Sequence, residues 1–223
     1  MAKRSSIPLG VKRFRRIGSE LVGNRSGIAT VEFSIVGPAF LALLLAILYT
    51  ALIFLAQQML ETAAQSAGRL LLTGSAQTAL MSNGDVGMSA SDFKNAICNG
   101  ASGVDATGQP FSFPKLLPPM LTCSRLTVNV STANAYNVSN ANAPTFRYDS
   151  HGNVTSTNTG YNSQGGGSGQ NKILVLQLIY LWPTGVGPLG LNLVNQPNSA
   201  RMLVATSVFT TEAYACNSAQ TSC

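Results

Sequence analysis

From Phe33 to Leu60 no side chain carries a charge, and most positions are apolar. A helix needs about 20 such residues to cross a bilayer, so the run is long enough. From Gln57 the pattern changes: Leu60, Ala63, Ala64, Ala67 and Leu71 recur at helical spacing, with Gln58, Glu61, Thr62, Gln65 and Arg69 between them. The periodicity predicts one helix from about Ile28 to Leu72, its first half in lipid and its second half lying on a folded domain. Small residues at Ala63/Ala67 and Ala64/Gly68 either admit a closely packed helix or sheet or simply favour helix. Pro38 removes one backbone hydrogen bond and is expected to kink the helix.

Past this helix the punctuation is dense. Gly74 and "SNGDVG" mark its end. A short helix is expected in "SASDFKNAICNG", capped by Ser89 or Ser91 and stopped at Gly100. "SRLTVNVS" alternates Leu126, Val128 and Val130 with Thr127, Asn129 and Ser131, as a half-exposed strand does. "KILVLQLIYLWP" is almost continuously apolar from Ile173 to Trp182, which predicts a central strand covered on both faces. It is too short for a second membrane span. "ARMLVATSVFTTEAY" reads as a third strand, and residues from about 132 to 171 as a long Asn/Ser/Gly-rich surface loop. The fold class is α+β: a long N-terminal helix packed on a small antiparallel sheet. The expected divisions are a leader over 1–27, the helix over 28–73 and a domain over 74–223.

Charge sharpens the topology. Seven of the 14 Lys and Arg residues but only one of the 8 acidic residues lie in 1–27, so the leader carries the whole net charge of +6. The remainder is neutral, which leaves no basic footprint for nucleic acid. A basic segment before an apolar run keeps the N-terminus cytoplasmic and sends the following domain outward. The apolar run exceeds a cleaved secretory segment and lacks an Ala-x-Ala site at its end. Cys98, Cys123, Cys216 and Cys223 all fall on the outward side, even in number and without metal-ligand spacing. Short loops favour Cys98 with Cys123 and Cys216 with Cys223.

No catalytic or cofactor constellation is expected. The single histidine, His151, sits in the polar loop, so neither a triad nor a His metal cluster has its parts. "GVGPLG" follows a strand, but Pro188 blocks a regular helix start and too little chain remains for a nucleotide-binding unit. It reads as a turn.

One acid interrupts the start of the apolar segment: Glu32 in "SGIATVEFSIVGPAF". A basic leader, Gly27, four residues, then Glu32 and Phe33 ahead of a spanning helix resembles the type IV prepilin signature. "GIATVEFSIVGP" is most similar to the TadE-like minor pseudopilins of tight-adherence pili. A second, softer likeness lies in the last two strands, ending at Glu212, Ala213 and Tyr214. The resemblance implies cleavage between Gly27 and Ile28 by a prepilin peptidase, and an assembly role for Glu32 and Phe33. It further implies a single pass through the bacterial inner membrane, a periplasmic or extracellular domain, and partnership with other minor pseudopilins, major pilin and the pilus platform in that membrane. The alternative from the same residues is a signal-anchored exported binding or adhesion module whose leader is never removed.

Overall fold

The computed structural model describes residues 27–82, 84–133, 144–151, 154–162, 173–185 and 187–212. Helix α1 spans Ile28–Leu72. The chain forms two compact units, Met1–Leu48 and Tyr49–Cys223.

In the first unit the helical residues from Ile28 carry their apolar side chains outward: Phe33 is 76% and Ile35 70% exposed. Only 11% of the most apolar 18-residue window is buried by the chain itself, so this is no core helix of a soluble domain. It is long and apolar enough to cross a membrane. The helix continues through Pro38. Proline offers no N–H, so the carbonyl of Ser34 lacks its usual helical donor.

The second unit holds the core. Its part of α1 buries Ile53, Ala56, Leu60, Ala63, Ala64, Ala67, Gly68 and Leu71, a stripe at i, i+3, i+4 spacing. Burying a Leu such as Leu60 contributes about 1.5–3 kcal/mol. The partner is a sheet. Strands β3 (Leu126–Ala133), β6 (Ile173–Pro183) and β7 (Ala200–Thr210) form an antiparallel sheet in the order β3-β6-β7. β6 is central and buried on both faces, as its almost continuous apolar run predicts. Leu174, Leu176, Leu178 and Tyr180 join the core cluster with the helix, while Val175, Gln177 and Ile179 are buried on the other face. The one polar group in that row is satisfied: the Gln177 Oε1 accepts from Nδ2 of Asn129, its register partner, at 2.8 Å.

Of the two readings of the small residues, the closely packed sheet is the one realised at Gly68. A Cβ there would lie 3.1 Å from Phe209 Cε1 and 3.2 Å from Ser207 Oγ, both on β7. Gly68→Leu is expected to force helix and strand apart at a cost of about 1–3 kcal/mol, read as a lower denaturation midpoint with an unchanged slope.

Between helix and sheet lie smaller elements: α2 (Ser75–Thr78), α3 (Ala90–Asn99), and the hairpin β1 (Ala101–Val104) with β2 (Pro110–Phe113). Ser89 caps α3 as expected, with its Oγ accepting from Asp92 N while the Asp92 carboxylate accepts from Ser89 N. Gly100 ends α3 at φ 81°, where a Cβ would sit 2.8 Å from the Phe113 carbonyl oxygen. In the β1–β2 turn, Asp105 Oδ1 accepts from Thr107 Oγ1 and from the N–H groups of Thr107 and Gln109. Those bonds, led by the Thr107 hydroxyl, hold the Asp105 carboxyl below its usual range.

A disulfide joins Cys98 at the end of α3 to Cys123 ahead of β3, with Cα atoms 5.7 Å apart. This is the first of the two expected pairings; Cys216 and Cys223 lie outside the described residues. Loop-closure entropy over a separation of 25 residues corresponds to about 3.5 kcal/mol. Cys98→Ser is expected to lower unfolding stability by about 2–4 kcal/mol, and reductant is expected to do the same to the unaltered protein in a denaturation experiment.

The segment expected to be one long loop is partly folded. Within it β4 (Phe146–Tyr148) and β5 (Val154–Thr157) make a hairpin. Tyr148 Oη donates to Gln196 Oε1 at 2.6 Å, tying the hairpin to the β6–β7 connection. Partial burial raises the Tyr148 phenol above its ordinary pKa. Residues 160–162 run along the outer side of β3: Val130 N donates to the Gly160 carbonyl, and Asn162 N donates to the Val130 carbonyl. The turn reading of "GVGPLG" also agrees with the fold, since Pro188–Gly190 is a single 3-10 turn closed by Leu191 N donating to the Pro188 carbonyl, with Gly187 N donating to the Leu191 carbonyl across it.

Candidate functional site

The residues singled out by the sequence lie on the first turns of α1. Gly27 directly precedes the helix, and a Cβ at that position would meet no atom of the described residues within 4 Å. Ile28 is its first residue and is exposed. Glu32 follows four residues on, so its Cα stands about 6 Å along the axis from that of Ile28, on nearly the same face. Glu32 is exposed and projects from the helix among apolar neighbours: Val31, Phe33, Ile35 and Val36 are also exposed. Phe33 lays its ring over Gly37, at 3.5 Å from where a Cβ would stand. Ser34 Oγ returns a hydrogen bond to the Thr30 carbonyl at 2.7 Å, satisfying its hydroxyl without water.

A carboxylate among exposed apolar side chains would be a hydration problem if this turn lay in lipid. It costs about 2.5–3.5 kcal/mol at the centre of a membrane helix and less near an interface. A free α-amine at residue 28 would supply a cation one turn away. The arrangement can therefore form a charge pair, within one chain or between neighbours. Among the described residues no group of three or more His, Cys, Asp or Glu side chains is placed to hold a metal ion. His151 is exposed in the β4–β5 turn, where its N–H donates to Asp149 Oδ1.

Where the chain enters the second unit, the structure assembles residues that the sequence pattern did not connect. Tyr49 Oη donates to the Thr184 carbonyl at 2.5 Å, just after β6. Trp182 and Arg201 are register partners at that same end of the sheet. Arg201 Nη1 donates to the Leu193 carbonyl at 3.3 Å.

The molecule is thus an α+β domain carried on an N-terminal helix long enough to cross a membrane, with a glycine and an acid flanking its start. Residues 27–69 match the family model described as TadE-like protein, a match that begins at Gly27 itself. This bears out the TadE-like resemblance read in "GIATVEFSIVGP". Neither curated proteins nor solved structures returned a match.

Proposed function

We propose that the chain is a minor pseudopilin, made as a membrane-anchored precursor, cleaved after Gly27 by a prepilin peptidase and used in assembling a tight-adherence pilus. The observation that carries this reading is the TadE-like match over 27–69, which starts at the glycine before the scissile bond. Cleavage there removes the +6 leader and leaves an ammonium at Ile28 beside the membrane face. That ammonium and the Glu32 carboxylate are both poorly hydrated, and each is the other's best partner. Between staggered neighbours the pair sets register, because shifting one helix leaves a buried charge uncompensated at a cost of about 3–5 kcal/mol. The role is structural rather than enzymatic. Its partners are the prepilin peptidase, other minor pseudopilins or major pilin, the inner-membrane pilus platform and the bilayer. The N-terminus faces the cytoplasm before cleavage, and the domain faces the periplasm or the exterior.

The deciding experiment identifies the first residue of protein extracted from membranes of cells that make the peptidase. Ile28 supports the pseudopilin reading. Met1 or Ala2 leaves a signal-anchored exported module instead.

A further inference from the structure

About 20 helical residues counted from Ile28 reach Ile47, so on the membrane reading above Tyr49 to Phe54 emerge at the outer interface. There the second unit opens a groove of about 290 Å³ between α1 and the start of β7. Its lining is mostly apolar, with Ile53, Phe54, Leu193, Met202 and Leu203 beside the polar Thr50 and Gln57, and Arg201 supplies a single guanidinium. Phe54 is 66% exposed on the groove's rim although Ile53 beside it is 5% exposed, so the groove borders an uncovered apolar surface. At this same end of the sheet, exposed Arg125 lines a second pocket with Pro183 and Ala200. No carboxylate appears among the described residues lining either pocket.

We propose that this groove is a phospholipid site, in which Arg201 holds the phosphate of an outer-leaflet lipid and Phe54 and Leu193 lie against its glycerol and upper acyl chain. Three features favour a lipid over a protein partner. The groove sits at the depth where helix residues leave hydrocarbon. Its cation lacks an acidic partner among the described residues, and guanidinium matches phosphate as a two-pronged donor. Tyr49 immediately precedes Thr50 of the lining and Trp182 is the register partner of Arg201, and Tyr and Trp are the side chains that collect at membrane–water boundaries because one end is apolar and the other polar. The site rests on the membrane-anchored reading of α1 but not on cleavage at Gly27. It would fix the height and tilt of the domain over the bilayer.

Trp182 is the only tryptophan of the chain and stands opposite Arg201 in the β6–β7 register, so its fluorescence reports on the groove. The test uses the full chain in vesicles of phosphatidylcholine and phosphatidylglycerol whose acyl chains carry bromine either near the glycerol or near the bilayer centre. Vesicle flotation first reads anchoring alone, and a chain that fails to float overturns the membrane reading together with this site. In chains that float, shallow bromines are expected to quench Trp182 more strongly than deep ones. Arg201→Gln and the exposed change Phe54→Gln are each expected to lose that preference, while Arg201→Lys keeps most of it. A floating protein with no shallow preference, or with a preference untouched in both Gln variants, overturns the lipid site while leaving the anchor standing. Quenching that vanishes as protein is crowded at constant lipid assigns the groove to a second copy of the chain and likewise overturns the proposal.

Discussion

Gly27→Leu is expected to leave the protein as an unprocessed precursor that keeps its 27-residue basic leader, visible as a slower band and as the absence of an Ile28 N-terminus. The expectation has a steric origin outside the folded domain. A Cβ at position 27 meets no atom of the described residues within 4 Å, so the substitution is expected to leave the folded domain undisturbed. What it alters is the approach of a peptidase to the bond between residues 27 and 28, where a branched side chain stands against the enzyme. Helix α1 begins at Ile28, and leucine is a good helix former, so insertion and expression should match those of the natural sequence. A variant processed at the normal rate would remove the glycine from the recognition logic and with it the prepilin reading. The comparison is internal, since both forms come from one membrane fraction.

Glu32→Ala is expected to insert at least as well as the natural protein and yet fail to support pili. Removing the charge relieves an insertion cost of up to about 2.5–3.5 kcal/mol, so membrane levels should hold or rise. Cleavage is expected to continue, because the scissile bond is one turn away. The deficit appears only when helices pack: the Ile28 ammonium then enters lipid without its counter-charge, at a cost of about 3–5 kcal/mol, enough to reduce association a hundredfold or more. Surface fibres counted by electron microscopy are the readout, with protein level and N-terminus measured alongside. Normal piliation would mean that Glu32 is a tolerated interfacial charge. Glu32→Gln separates charge from hydrogen bonding and is expected to behave like the alanine variant.

The long elements were legible in the sequence because each is governed by its own side chains. α1, α3, β3, β6 and β7 lie where periodicity, caps and apolar runs put them, and the Cys98–Cys123 bridge is the pairing favoured by its short loop. The small hairpins were not legible. β1, β2, β4 and β5 are three or four residues each, too short for a period to appear, and their strand character comes from pairing with one another. β4 and β5 are further concealed in a polar stretch whose composition reads as loop. The site divides in the same way. Gly27, Glu32 and Phe33 are recognisable from spacing along one helix, whereas the association of Trp182 with Arg201 depends on the register of two strands separated by a connection. Interfacial chemistry assembled from three distant segments leaves no local mark.

If the protein assembles as the pseudopilin reading has it, its sheet has one further consequence. Exposed margins of small sheets invite copies to zip together through their backbones. Here one margin is occupied by residues 160–162 bonded to Val130. On the other, Asn195 Oδ1 takes the amide of Met202 and Gln57 Nε2 takes the carbonyl of Val204. Those filled positions offer an added strand fewer free backbone groups, and on the pseudopilin reading ordered stacking then falls to the helices.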